Sequence, residues 1–279
     1  MFIFFNLVLI LGILWLVAGM VTALHLFHPV AVAPTTTTVD PAAQAFSQLP
    51  AEKWTLQNQF NLTETAWYVP AATATHKTLI LFHGRQTDHR SLATYGVHFH
   101  QLGYNVLLPD NLATGASQGG YTSAGYFEQR SACGWIDQLI AADSQVAIGL
   151  FGTDVGAAIV GLTSDAALPT NVKLGVLANG YTTAYVQVRQ RLAHRHIPGL
   201  TTAVSLATQF LYGFALERIN PLAHVKRSRL PLLFIEAPTG DDTMTAQLYA
   251  AKPGHKARLT LPHNQVTADV RQFLAHYQL

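Results

Sequence analysis

The sequence predicts an α/β protein, a mostly parallel sheet covered by helices on both faces, preceded by one apolar N-terminal helix. Three observations predict it. Short, nearly continuous apolar runs rich in Val, Ile, Leu and Phe recur from residue 65 to the C-terminus. Segments of helix length separate them, which is the pattern of strands buried on both faces. Before them, no side chain between Met1 and Asp40 carries a formal charge, and residues 2–26 are almost all apolar.

A helix of about 20 apolar residues crosses the hydrocarbon core of a bilayer, and the first run meets that length. Secretory signals have a shorter apolar region of about 7–15 residues after a basic segment, and no basic segment precedes this one. The AVA at 31–33 resembles a cleavage site but is followed by Pro34 and lies well past the apolar run. Residues 1–27 therefore read as an uncleaved single-pass membrane anchor. Neither flank has Lys or Arg close by, so the charge rule for orientation is silent. Residues 28–45, with APTTTTVDPAAQ at 33–44, have the composition of an extended stalk. The stalk favours a globular domain, residues 46–279, outside the cytoplasm at the cell membrane.

Within that domain TAWYVPA (65–71) alternates and stops at a proline, as an early edge strand does. KTLILFHG (77–84), YNVLLPD (104–110), QVAIGLFG (145–152), VKLGVLANG (172–180), LPLLFIEA (230–237) and KARLTLP (256–262) read as the remaining strands. TADVRQFLAHY (267–277) reads as a closing amphipathic helix. Right-handed crossovers bring the C-terminal ends of parallel strands to one edge, where a site belongs. Residues 181–229 are too long for a simple connection. AYVQVRQRLAHRH and TAVSLATQFLYGFALERI, parted by IPG, read as a helical lid over that edge.

Composition excludes several classes. A formal net charge of +2 without a Lys/Arg run argues against a nucleic-acid partner. One cysteine, Cys133, rules out an internal disulfide and a cysteine metal cluster. The pairs His98/His100 and His194/His196 stand two apart, and i, i+2 positions face different sides of a helix. No metal or other cofactor is implied. Asn61 begins an N-x-T sequon, a weak three-residue match. Nothing in the sequence sets an oligomeric state.

Two stretches invite a nucleophile reading. GASQG at 115–119 matches G-x-S-x-G, but the strand before it ends several residues earlier and a glycine-rich loop follows. Ser117 therefore reads as a turn residue. The strand–turn–helix context belongs to VAIGLFGTDVGAAIVGL (146–162), with Asp154 at the tip and Gly152 and Gly156 where a side chain would clash. A carboxylate suits the start of a helix electrostatically, so Asp154 can simply stabilise the turn.

Here the chain resembles the α/β-hydrolase superfamily, and most of all its membrane-anchored, cell-surface hydrolases in Gram-positive bacteria. The likeness runs from about Trp54 to the C-terminus. It is carried by LILFHG (79–84), LGYNVLLPDNLATGASQGGY (102–121), GWIDQL (134–139) and INPLAHVKRSRLPLLFIE (219–236). The resemblance implies a small-molecule substrate or ligand, with oxyanion donors at Gly84, Arg85 and Val155. It also implies a nucleophile, acid and histidine in that order: Asp154, then Asp241 or Asp242, then His263. Three departures stand out. The family has Ser where Asp154 stands, an HGxxD loop where EAPTGDDTM (236–244) stands, and a GH loop where LTLPHNQVT (259–267) stands.

Serine hydrolysis needs a histidine to take the hydroxyl proton and N–H groups to hold the oxyanion. A carboxylate at the tip needs no such activation, but its charge opposes a developing oxyanion. Carboxylate nucleophiles suit displacement at saturated carbon, as in the haloalkane dehalogenases and epoxide hydrolases of this fold. Those enzymes carry Trp after the nucleophile, where this chain has Val155. Leaving-group stabilisers would come from Tyr181, Tyr185 and Tyr212. The resemblance thus implies a membrane-anchored hydrolase of unknown substrate with Asp154 at the nucleophile position in place of Ser. The alternative is a pseudohydrolase, a fold that has lost turnover and serves as a surface binding scaffold.

Overall fold

The computed structural model describes residues 1–29, 41–238, 243–262 and 265–279. In chain order the elements begin with α1 (Phe2–Phe27), α2 (Pro41–Ser47), β1 (Glu52–Gln57), β2 (Thr63–Val69), β3 (Lys77–Phe82) and α3 (Ala93–Gln101). They continue with β4 (Asn105–Pro109), α4 (Glu128–Ala142), β5 (Ala147–Thr153), α5 (Val155–Thr163) and β6 (Val172–Ala178). After α6 (Ala184–Leu192), α7 (Leu200–Tyr212) and α8 (Pro221–Arg227) come β7 (Leu232–Glu236), α9 (Thr243–Ala251), β8 (Lys256–Thr260) and α10 (Ala268–His276).

Among the described residues the sheet has eight strands in the order β1-β2-β4-β3-β5-β6-β7-β8. Pairings from β4 through β8 are parallel, whereas β2 runs antiparallel to both β1 and β4. The expected α/β sheet is there, with helices on both faces. The sequence reading missed β1. Its EKWTLQ exposes Glu52, Lys53 and Thr55, because an edge strand buries little. The strand at 65–71 is consequently second in the sheet. The helix α9, with little amphipathic contrast, was also missed.

Alternation along the strands builds two cores. In β3, Ile80 and Phe82 join the layer under α4 and α5, while Leu79 and Leu81 join the layer under α3 and α10. In β7, Leu232 and Phe234 face the first layer, and Leu233 and Ile235 the second. Successive side chains of a strand point to opposite faces, so a strand covered twice must be apolar at every position. That is why these segments read as unbroken hydrophobic runs.

The helix α1 is long and apolar enough to span a membrane. Most of its side chains are exposed, and Gly19, Ala23 and Phe27 are the ones it buries. Those three face α7 and the core. A Cβ on Gly19 would lie 2.5 Å from Ala203 Cβ, so the two helices touch backbone to backbone there.

Candidate functional site

At the C-terminal end of β5 the chain reverses within one residue into α5. Asp154, at the tip, holds φ 50° and ψ −108°, a conformation that costs a non-glycine residue about 1–3 kcal/mol. Its N–H donates to Ala178 O at 3.0 Å, and its carbonyl accepts from Ala158 N at 3.1 Å, opening the helix. The turn is too tight for side chains at its base. A Cβ on Gly156 would lie 1.9 Å from Phe82 O, and one on Gly152 2.1 Å from Gly156 O. The two glycines are therefore a steric requirement of the turn.

The Asp154 carboxylate points across the edge of the sheet. Its Oδ2 accepts from the Arg85 backbone N–H at 3.3 Å, and its Oδ1 from Gln187 Nε2 and Arg191 Nη2, each at 3.4 Å. All three contacts are long for hydrogen bonds. The side chains of Asp154 and Arg191 are 32% and 28% exposed. Burial, with the Arg191 charge beside it, pushes the Arg85 guanidinium below its usual range, and Asp154 pulls the other way. The Arg85 Nε is buried with no hydrogen-bond partner among the described residues.

Gly84 lies against the tip, where a Cβ would be 3.5 Å from Asp154 Cβ. His83 fixes this loop from below. Its Nδ1 lies 2.8 Å from Gly84 O and its Nε2 accepts from Asn111 N at 3.0 Å. Those partners assign the proton to Nδ1, and complete burial pushes the ring's pKa down, so it stays neutral.

A roof covers the site. Leu26 and Phe27, the end of α1, close over Arg85, Ala124, Val155 and Val188. Phe27 packs edge-on to Phe214 at 5.6 Å, and its carbonyl accepts from Thr122 N at 2.9 Å. The two spaces left beneath are about 20 Å³ each, room for a single water.

No family model matches the sequence. The uncharacterised protein YqkD of Bacillus subtilis is 24% identical over 225 residues, covering 77% of this chain and 72% of that protein. Among solved structures, the Pyrococcus furiosus esterase Pf2001 superposes with a TM-score of 0.68 at 18% identity, over 90% of this chain and 98% of its own. The α/β hydrolase GrgF from Penicillium gives 0.59 at 15% identity, over 82% and 96%. An acetyl xylan esterase from Paenibacillus gives 0.56 at 13%, over 90% and 96%. The chain has the α/β-hydrolase fold.

On this α/β-hydrolase framework, Asp154, Val155, Gly84 and Arg85 come together at the C-terminal ends of β3 and β5. Asp241, Asp242 and His263 lie outside the described residues. Of the tyrosines suggested as leaving-group stabilisers, Tyr181 and Tyr185 have their hydroxyls engaged away from Asp154, and Tyr212 is held by its ring. Tyr181 is fully buried and donates to Ala124 O at 2.7 Å, with burial raising its pKa well above the usual value. Tyr185 bonds Thr202 at 2.9 Å, and Tyr212 stacks on Tyr121 at 4.4 Å. Ser117 is far from a nucleophile's setting. Its hydroxyl donates to Asp110 O at 2.6 Å and accepts from Thr65 N at 2.8 Å, stapling its loop to β2.

Sequence reasoning missed Gln187, Arg191, Leu26 and Phe27. Gln187 and Arg191 are an i, i+4 pair on one face of α6, a readable spacing. Nothing in the N-terminal run marks its last two residues as a roof.

Proposed function

We propose that this protein is a membrane-anchored α/β-hydrolase-fold protein that has lost ester turnover and serves as a surface binding scaffold. The observation that carries this is the Arg85 N–H donating to Asp154 Oδ2 at 3.3 Å. In an ester hydrolase that N–H would await the oxyanion of the substrate. Here the elbow's own carboxylate takes it. Arg191 and Gln187 hold the other carboxylate oxygen, and Leu26 and Phe27 fill the space an acyl group would need. The polar groups offered to a small-molecule ligand are then Arg85, Gln187 and Arg191. α1 anchors the domain, which faces outward from the cell membrane. Of the expected stalk, residues 30–40 lie outside the described residues, and its last residues, 41–45, belong to the helix α2 rather than to an extended spacer.

One observation favours a second reading. Asp154 keeps a strained backbone and a side chain one-third exposed, as a working residue would. In that reading a carboxylate oxygen of Asp154 displaces halide, or opens an epoxide C–O bond, at a saturated carbon of the substrate and forms an alkyl ester, the departing halide or alkoxide oxygen taking the bonding electron pair. His263 activates water against the resulting ester, Asp241 or Asp242 orients it, and the N–H groups of Arg85 and Val155 line the site.

The test is turnover by the full chain in detergent on esters, alkyl halides and epoxides, with Asp154→Asn beside it. The scaffold reading expects the two proteins to be indistinguishable on every class. Halide or epoxide turnover that disappears in Asp154→Asn would establish the second reading instead.

A further inference from the structure

The helix α7 accompanies the second half of α1. Trp15 Nε1 donates to Pro198 O at 3.2 Å, Gly19 meets Ala203, and Phe27 reaches Tyr212 with ring centres 6.4 Å apart. The two helices therefore run side by side in the same direction, residue 19 level with residue 203. This leaves only residues 2–14 of α1 unaccompanied, a length of about 20 Å at 1.5 Å per residue.

A bilayer core is about 30 Å thick. If α1 crosses it, as proposed above, the remaining roughly 10 Å extend past Trp15 for about seven residues, to the level of Thr22. Level with Thr22 on α7 is Leu206. The insertion surface at this depth and one turn beyond it suits such an environment. Ile197, Leu206 and Phe210 are 46%, 51% and 81% exposed, large apolar side chains turned away from the protein. Residues 181–216 contain Arg189, Arg191 and Arg195 and no Asp or Glu. Arg189 and Arg195 are exposed, and long cationic side chains reach the phosphate layer while their stems stay in apolar surroundings.

We infer that the tip of the α6–α7 insertion (residues 193–199) and the outer face of α7 are immersed in the leaflet that α1 enters. Ile197 and Leu206 sit among the acyl chains and Phe210, one turn past Leu206, at the headgroup boundary. Arg189 meets anionic lipid phosphates, and the Arg195 side chain extends toward them from the tip. The inference rests on the membrane-anchor reading of α1.

The test uses the full chain with Cys133→Ser, carrying an environment-sensitive fluorophore at one new cysteine. The sites are Leu9→Cys on α1, Leu206→Cys on α7 and Ser144→Cys at the opposite edge of the sheet. Each protein is reconstituted in phosphatidylcholine/phosphatidylglycerol vesicles containing doxyl-labelled lipid. Immersion predicts strong quenching at positions 9 and 206 and none at 144. Arg189→Glu combined with Arg195→Glu should then lower quenching at position 206 at least twofold and leave position 9 unchanged. Quenching at position 9 with position 206 behaving like 144 would overturn the inference and leave the anchor standing. Quenching at none of the three would remove the anchor and the inference together. A blue-shifted but unquenched position 206 would mean that a second copy of the chain, not lipid, covers α7.

Discussion

Two turns at the same edge of the sheet each carry an aspartate, and they hold it in opposite ways. In the loop after β4, Asp110 is fully buried with every contact short. Its Oδ1 accepts from His89 N at 2.9 Å and lies 2.8 Å from His89 Nδ1, and its Oδ2 accepts from Ala116 N at 2.9 Å. Burial alone would raise its pKa, but the His89 contact and the backbone N–H groups outweigh it, so the carboxyl lies below its usual range. At the elbow, Asp154 is one-third exposed and its contacts are 3.3–3.4 Å. The first loop is organised around its carboxylate. The elbow is organised by its glycines, and the carboxylate is carried along, so the fold does not depend on what stands at the tip.

The largest break in this comparison is steric. Gly156→Val puts a side chain where Phe82 O already lies, and the domain should lose its cooperative thermal transition, measured by circular dichroism. Phe27→Ala comes next. It removes the roof's largest buried group and should cost about 3 kcal/mol in denaturant titration. It should also raise carbodiimide labelling of Asp154, read by peptide mass spectrometry; unchanged labelling would refute the roof.

Making the same exchange at the two aspartates sharpens the contrast. Asp110→Asn should cost about 2–3 kcal/mol at neutral pH, because a buried acceptor of several N–H groups is replaced by an amide that can face only some of them. The Asp110 contribution is present above its unfolded value of 3.8 and is lost as pH falls through its lower folded value. The gap between wild type and Asp110→Asn should therefore shrink below about pH 3.8 in urea titrations at stepped pH. Ser117→Ala should cost about 1 kcal/mol through its lost staple. Asp154→Asn should move stability by less than about 0.5 kcal/mol. A loss at Asp154 as large as that at Asp110 would erase the distinction between the two turns.

How much was legible depends on how local the cause is. The runs at 77–84, 145–152 and 230–237 show themselves because burial on both faces leaves no room for a polar residue. The elbow shows itself because two glycines four apart mark a steric limit set within five residues. β1 escaped because an edge strand with Glu52 and Lys53 outward resembles a loop. Gln187 and Arg191 lie 33 and 37 residues from Asp154, and Phe27 lies further still. No periodicity connects positions so far apart.

By itself the sequence determined the layered sheet, the apolar N-terminal helix, and Asp154 at the tip of a glycine-walled turn. Each follows from short-range sterics and from the hydrophobic pattern of a single element. Tertiary structure alone decided what the carboxylate meets and what lies above it. Those contacts depend on how α1, α6 and α7 pack over the edge of the sheet. A shift of one helical turn, about 5.4 Å, would take Arg191 or Phe27 out of reach.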